Sequence, residues 1–435
     1  MADEKYGLQT RALHSGHVPD SDTGSRAVPI HMTTSYVFRD TGHAADLFAL
    51  REQGFIYSRL TNPTTDVLEK RLAALHGGAG ALATASGMAA VFYAVTTHTS
   101  AGQNIVSGSN LYDGASTLFR QTLSRFGIEV RFVDSSDPAN VEAAIDENTR
   151  LVYSEAIGNP RCNVDDLSAI ADAAHAHGVP FILDCTSAPP PIGDPFGFGA
   201  DIAVYSLTKI VGGHGTALGG AIVEKGDFDW AASGKFPEIC DPDPAYHGLS
   251  FWEALDCGRG EPRPVFCTKV RSGLLRDTGA AISPMNSFLI LQGLETLPIR
   301  ARIHCENARK VAEFLAGHER VEWVNYAGLE DHPDFGNARR YFPDGPGAVF
   351  GFGVKGGLEA GRRFIEGVEL CSHLANILDA RTLVIHPAST THSQSTPEQQ
   401  RAAGVTEDMI RISIGIEDIE DIVADLDQAL KSSGR

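Results

Sequence analysis

Short apolar runs recur along the first half of this 435-residue chain, at GALATA (80–85), QNIVSG (103–108), EVRFVD (129–134), RLVYSE (150–155), PFILDC (180–185), DIAVYS (201–206) and LGGAIV (218–223). Helical patterns such as LSAIADAAHAHG (167–178) lie between many of them. Apolar runs bounded by polar turns and alternating with helices leave little choice of fold. They predict a mostly parallel sheet with helices on both faces, an α/β architecture. In such a sheet the polar groups that bind ligands collect at the carboxyl ends of the strands.

The rest of the chain divides by pattern. Residues 1–65 show little periodicity. From Pro63 the spacing changes, and Val67, Leu68, Arg71, Leu72 and Leu75 fall on one face of a helix that stops at Gly77. Residues 226–265 break the rhythm with prolines, glycines and aromatics that read as exposed. A long helical region is predicted over 284–317, and alternation resumes at AVFGFGV (348–354), TLVIH (382–386) and MIRISIG (409–415). In the last helix Ile419, Ile422, Val423, Leu426 and Leu430 form an apolar face, with Asp421, Asp425 and Asp427 predicted to face water. Length alone favours more than one core, so the division expected is 1–65, a large domain over 66–283 and a smaller C-terminal α/β domain over 284–435.

With 55 acidic against 36 basic residues, the net charge is -19, and no basic cluster offers a nucleic-acid or membrane surface. The 7 cysteines include no CxxC spacing, which supports neither a disulfide framework nor a structural zinc site. His31, His76, His214, His386 and His392 share no ligand spacing, so no metal is expected. The N-terminal stretch MADEKYGLQTR has no apolar leader pattern, and the cytoplasm is the expected compartment.

Three strand ends carry chemistry. Asp184 closes PFILD, Ser206 and Lys209 follow IAVY, and Ser86, Gly87 and Met88 separate ALATA from a helical run. Small residues opening a helix present backbone N–H groups to a phosphate. A lysine amine can form a Schiff base with an aldehyde cofactor, and pyridoxal phosphate is the cofactor that needs one. It also needs a phosphate cradle, an acid against its pyridine nitrogen and a flat group over its ring. Asp184 can be the acid, and Ser206 and Thr208 flank Lys209. Tyr112, in SNLYDG, can stack on the ring.

The chain resembles the Cys/Met-metabolism family of pyridoxal-phosphate enzymes, and within it the O-acetylhomoserine sulfhydrylases. Ordered similarity runs nearly end to end, through GSRAVPIHMTTSYVFRD, YSRLTNPTTDVLEKRLAALHGG, ATASGMAAV, YSLTKIVGGHGT, LLRDTGAAISPMNSFLILQGLETL and IRISIGIEDIEDIVADLDQAL. The resemblance implies the fold type I architecture of the aspartate aminotransferases. It implies Lys209 as the Schiff-base lysine, Asp184 as the pyridine-nitrogen partner and Tyr112 as the stacking tyrosine that assists proton traffic. It places Gly87, Met88, Ser206 and Thr208 in the phosphate cradle, beside Ser86 at the helix start. Tyr57 and Arg59 match the pair that reaches a phosphate in a neighbouring subunit, which makes 1–65 an arm and the assembly a dimer of dimers. Arg411 and Asn376 match residues that hold the substrate carboxylate, with Tyr57 beside them.

The expected reaction is γ-replacement on O-acetyl-L-homoserine with sulfide or methanethiol, giving homocysteine or methionine. Alternatives in the same family are a methionine γ-lyase, a cystathionine γ-synthase and an O-succinylhomoserine sulfhydrylase. The departures are specific: Leu378 where glycine is usual in the Asn376 motif, SLTK for SATK, and SGM for SGQ. Gly114 stands where the γ-lyases place cysteine, and the long 226–265 region favours the sulfhydrylases.

Overall fold

The apolar runs pair into one sheet because most are too apolar to leave either face in water; only the edge run over 129–133 stays partly exposed. In the computed structural model, which describes residues 5–391, 393, 400 and 404–434, they form β1 (Gly80–Thr84), β2 (Asn104–Gly108), β3 (Glu129–Val133), β4 (Thr149–Glu155), β5 (Phe181–Asp184), β6 (Ile202–Ser206) and β7 (Gly220–Glu224). Their spatial order is β1-β7-β6-β5-β4-β2-β3. Only β7 runs against its neighbours. The pairs from β6 across to β3 are all parallel, so the carboxyl ends of β1 to β6 share one edge.

A second sheet holds β8 (Val321–Asn325), β9 (Val349–Val354), β10 (Ser372–His373), β11 (Leu383–Ile385) and β12 (Met409–Ser413), in the order β10-β11-β12-β9-β8. Its pairs are antiparallel except for β10 with β11.

The helix Pro63–His76 follows its sequence signals closely. The Asn62 side chain accepts from the amides of Thr64 and Thr65, Pro63 opens the first turn, and Gly77 ends the helix at φ +67. Arg71 lies on its buried face, where it donates to Ser15 O at 3.0 Å and pairs with Glu295 at 3.1 Å.

Four readings need correction. The 284–317 region is two helices, Pro284–Leu294 and Leu297–Ala316, because Pro298 has no N–H and suits only a first turn. The 1–65 stretch contains the helices Leu8–His14 and Thr41–Phe48. The aromatics of 226–265 are largely internal: Trp230, Phe236 and Phe251 are buried. Trp230 and Phe236 pack edge-on against His98. Asp425 faces inward, where its carboxylate accepts from the amides of Glu369, Leu370 and Cys371 at 2.8, 3.1 and 2.8 Å. Three donors offset the cost of taking that charge from water. Asp421 is exposed as expected, and Asp427 pairs with Lys431 at 2.6 Å. His392 lies outside the described residues. Among the described residues no helix is long and apolar enough to cross a membrane.

Candidate active site

Beyond β6 the chain turns at once, and that turn aims Lys209. Its amide donates to Ser206 O at 3.2 Å, Gly212 N to Leu207 O at 2.9 Å and Gly213 N to Lys209 O at 2.7 Å. Gly213 adopts φ +76, and a Cβ there would lie 2.2 Å from Arg300 Nη1, so the glycine is required twice over. Arg300 fills that space and donates to the carbonyls of Ile210 and Val211 at 2.8 and 3.1 Å. The Thr208 hydroxyl is within bonding distance of Gly219 N at 3.1 Å, and Ser206 N donates to Thr186 Oγ1 at 2.8 Å.

Facing this turn is the helix Gly87–Thr96, capped by Ser86, whose hydroxyl accepts from Ala89 N at 3.2 Å. A Cβ on Gly87 would sit 2.7 Å from Ser206 Cβ. The helix therefore approaches β6 closely enough to set the first-turn amides of Gly87 and Met88 beside Ser206. First-turn amides have no acceptor within their own helix and attract an anion.

Asp184 ends β5. Its carboxylate accepts from Thr186 N at 2.9 Å and from the Tyr153 hydroxyl at 3.3 Å. Desolvation raises its pKa above the ordinary carboxylate range, and these hydrogen bonds only partly oppose it. In register beside it on β4 is Glu155. Desolvation, and then the Asp184 charge, push the Glu155 carboxyl well above its usual pKa. Glu155 accepts the Tyr112 amide at 2.6 Å, which ties the half-exposed Tyr112 ring to this edge. Glu155 and Thr186 were not anticipated. Each occupies a strand end or the turn after one, which was the only signal available for them.

The second sheet supplies the other wall. Lys209 Nζ donates to Asn376 Oδ1 at 2.5 Å. Lys209, Thr208 and Asn376 line an open cavity of about 360 Å³ with Gly215, Thr216, Ala217, Leu218 and Ala375. Burial lowers the Lys209 pKa from 10.5 to about 8, assisted by the charge of Arg411 on β12. The Arg411 guanidinium, itself lowered by desolvation, makes no hydrogen bond or ion pair with any described residue. Tyr57 and Arg59 are not drawn into this group. Both are exposed, and Arg59 lies over the Tyr57 ring at 5.0 Å. No group of His, Cys, Asp and Glu suited to a metal occurs among the described residues.

The donor set fits pyridoxal phosphate. First-turn amides suit its phosphate, a carboxylate with no cation beside it suits a protonated ring nitrogen, and a lysine of lowered pKa suits its aldehyde.

The sequence profile described as Cys/Met metabolism PLP-dependent enzyme matches residues 9–431. The chain belongs to that family. Like the rest of the family it is a fold type I enzyme and uses pyridoxal phosphate. It is 52% identical to the O-acetyl-L-homoserine sulfhydrylase of Leptospira meyeri over 98% of this chain and 96% of that protein. It is 50% identical to the homocysteine synthase of Schizosaccharomyces pombe, over 99% and 100%. Among solved structures it matches a chain from Campylobacter jejuni described as an O-acetylhomoserine (thiol)-lyase, which carries a pyridoxyl-lysine phosphate. There the TM-score is 0.93 at 41% identity, over 98% of this chain and 100% of that one. The family's pyridoxal-phosphate-dependent γ-replacement chemistry belongs to sulfur amino-acid metabolism.

Proposed function

We propose that the protein catalyses γ-replacement on O-acetyl-L-homoserine, with sulfide or methanethiol entering and acetate leaving. The observation that carries this reading is identity of about half, end to end, to proteins named for that chemistry.

When bound, pyridoxal phosphate supplies the sink for the electrons of the broken Cα–H bond. The amides of Gly87 and Met88, with Ser86, Ser206 and Thr208, would hold its phosphate. Asp184 would hold its ring nitrogen, and Tyr112 would cover its ring. Arg411 presents a fork to the substrate carboxylate, and a bidentate grip fixes which substrate bond faces the base. Asn376 supports the same end of the substrate. Lys209 is the base: at about 8 its amine is free often enough near neutral pH to take a proton, as a lysine at 10.5 is not. Lys209 Nζ takes the Cα proton, hands it on within the site, and as a free amine again takes a Cβ proton while the Cγ–O bond breaks to release acetate. The thiol gives up its proton, which leaves with the acetate, as its sulfur bonds to Cγ, and one proton each returns to Cβ and Cα.

Each site is expected to take Tyr57 and Arg59 from a neighbouring subunit in a dimer of dimers. Supporting this, Val18, Met32, Val37 and Phe48 are 79%, 68%, 98% and 61% exposed in the single chain. We retain the division at 65/66 and 283/284, and we place the enzyme in the cytoplasm, supported by cysteines that are all unpaired.

The test is mass-spectrometric product analysis with pyridoxal phosphate and O-acetyl-L-homoserine, with and without sulfide. Homocysteine that forms only with sulfide is the expected outcome. Abundant 2-oxobutanoate, above all from L-methionine, would replace this reading with a γ-lyase.

A further inference from the structure

Leu378 is wholly buried, yet its φ is +57, a left-handed conformation that a branched side chain rarely adopts. Strain of this kind persists only where the surroundings over-determine it, and it gathers at functional sites. Here the surroundings can be named. The Leu378 amide donates to Ser413 Oγ at 2.6 Å, and Ser413 is buried on β12. Two residues on, Ala380 N donates to Gly213 O at 2.8 Å, in the turn that follows the lysine. Two residues back, Asn376 accepts from Lys209 Nζ. The segment from Asn376 to Ala380 thus spans from β12 to the lysine turn, with its strained residue at the middle.

We propose that Ser413 is a positioning residue: by accepting the Leu378 amide, its hydroxyl holds the left-handed turn that sets the Asn376 carboxamide against Lys209. Arg411 lies two positions earlier on the same strand, so its side chain shares a face with Ser413. One strand therefore places both the carboxylate fork and, through Leu378, the partner of the base. Without the Ser413 oxygen the Leu378 N–H is buried with no acceptor. The turn then relaxes to an ordinary φ, and the Asn376 side chain is carried off Lys209. The inference rests on Lys209 being the cofactor-anchoring base.

The experiment compares holoenzyme of Ser413→Ala, Ser413→Thr and Leu378→Gly with the native protein. It reads kcat, KM for O-acetyl-L-homoserine, thermal midpoint, and the pH midpoint of the cofactor's visible absorbance. That absorbance follows the Lys209 nitrogen once it is bonded to the cofactor. Ser413→Ala is expected to lower kcat about tenfold or more, with KM changed less than about threefold, because a misaimed base loses rate rather than binding. The absorbance midpoint is expected to move with kcat. Ser413→Thr should restore both, and Leu378→Gly should keep them, since glycine adopts the left-handed turn and keeps the amide.

A Ser413→Ala protein with a lower thermal midpoint but native kcat and absorbance would overturn the proposal. Failure of Ser413→Thr to restore them would do the same. So would a loss in Leu378→Gly equal to that in Ser413→Ala. Lys209→Ala serves as the control: a visible band that persists there would remove the underlying assignment, and that failure is distinct from all the others.

Discussion

The two sheets reach the same site by different routes. In the seven-stranded sheet, parallel pairing puts the polar residues that follow each strand on one edge, so Ser86, Glu155, Asp184 and Lys209 meet by topology alone. The five-stranded sheet is mostly antiparallel, so its strand ends alternate between edges and gather nothing. It contributes through exceptions: Arg411 from within β12, and Asn376 from a segment containing a left-handed leucine. The residues proposed to hold the cofactor therefore follow from fold class, whereas those proposed to hold the substrate depend on local backbone detail.

The sharpest test of that division is Lys209→Ala. Loss of the base should cost about 10²–10⁴-fold in kcat and abolish the visible cofactor band, measured by steady-state kinetics and absorbance. Arg411→Lys should act on the other half. Replacing a fork by a point charge is expected to raise KM for the amino-acid substrate roughly tenfold or more while the band stays native. A lost band in that variant would break the comparison. Within the smaller domain, Asp425→Ala leaves the buried Cys371 amide and the part-buried amides of Glu369 and Leu370 without their acceptor. It should destabilise by about 2 kcal/mol in denaturant unfolding, with no change in the cofactor spectrum.

The smallest expected effect is in pH dependence and belongs to the large domain. His98 is wholly buried among Trp230, Phe236 and Phe266, and neither ring nitrogen has a partner. Desolvation, with some help from the Arg150 charge, lowers its pKa from 6.5 to about 3. Between those values the unfolded chain binds a proton that the folded chain refuses. Stability from this group is complete above about 6.5 and falls as pH drops toward 3. His98→Phe should flatten the slope of the unfolding midpoint between about pH 6.5 and 5, before most carboxylates titrate. An unchanged slope would show that the ring finds a partner.

The readings that succeeded and those that failed differ in kind. Buried strands are continuous apolar runs, and helix ends carry caps such as Asn62 and Gly77, so both are local and legible. The acid Asp425 was misread because an aspartate on a helix is normally solvated, and only the fold brings residues 369–371 against it. The aromatics of 226–265 sit among prolines and glycines that look like loop, yet they close over His98.

By itself the sequence determined which segments are buried strands, where helices start and stop, and hence that Asp184, Ser206 and Lys209 stand at strand ends. Those properties depend on residues close together in the chain. Only the tertiary structure decided that Glu155 would hold Tyr112, that Asn376 would meet Lys209, and that Ser413 would receive the Leu378 amide. Each of these contacts joins groups tens to hundreds of residues apart, and the packing that selects one partner among many equivalent side chains is a property of the whole fold.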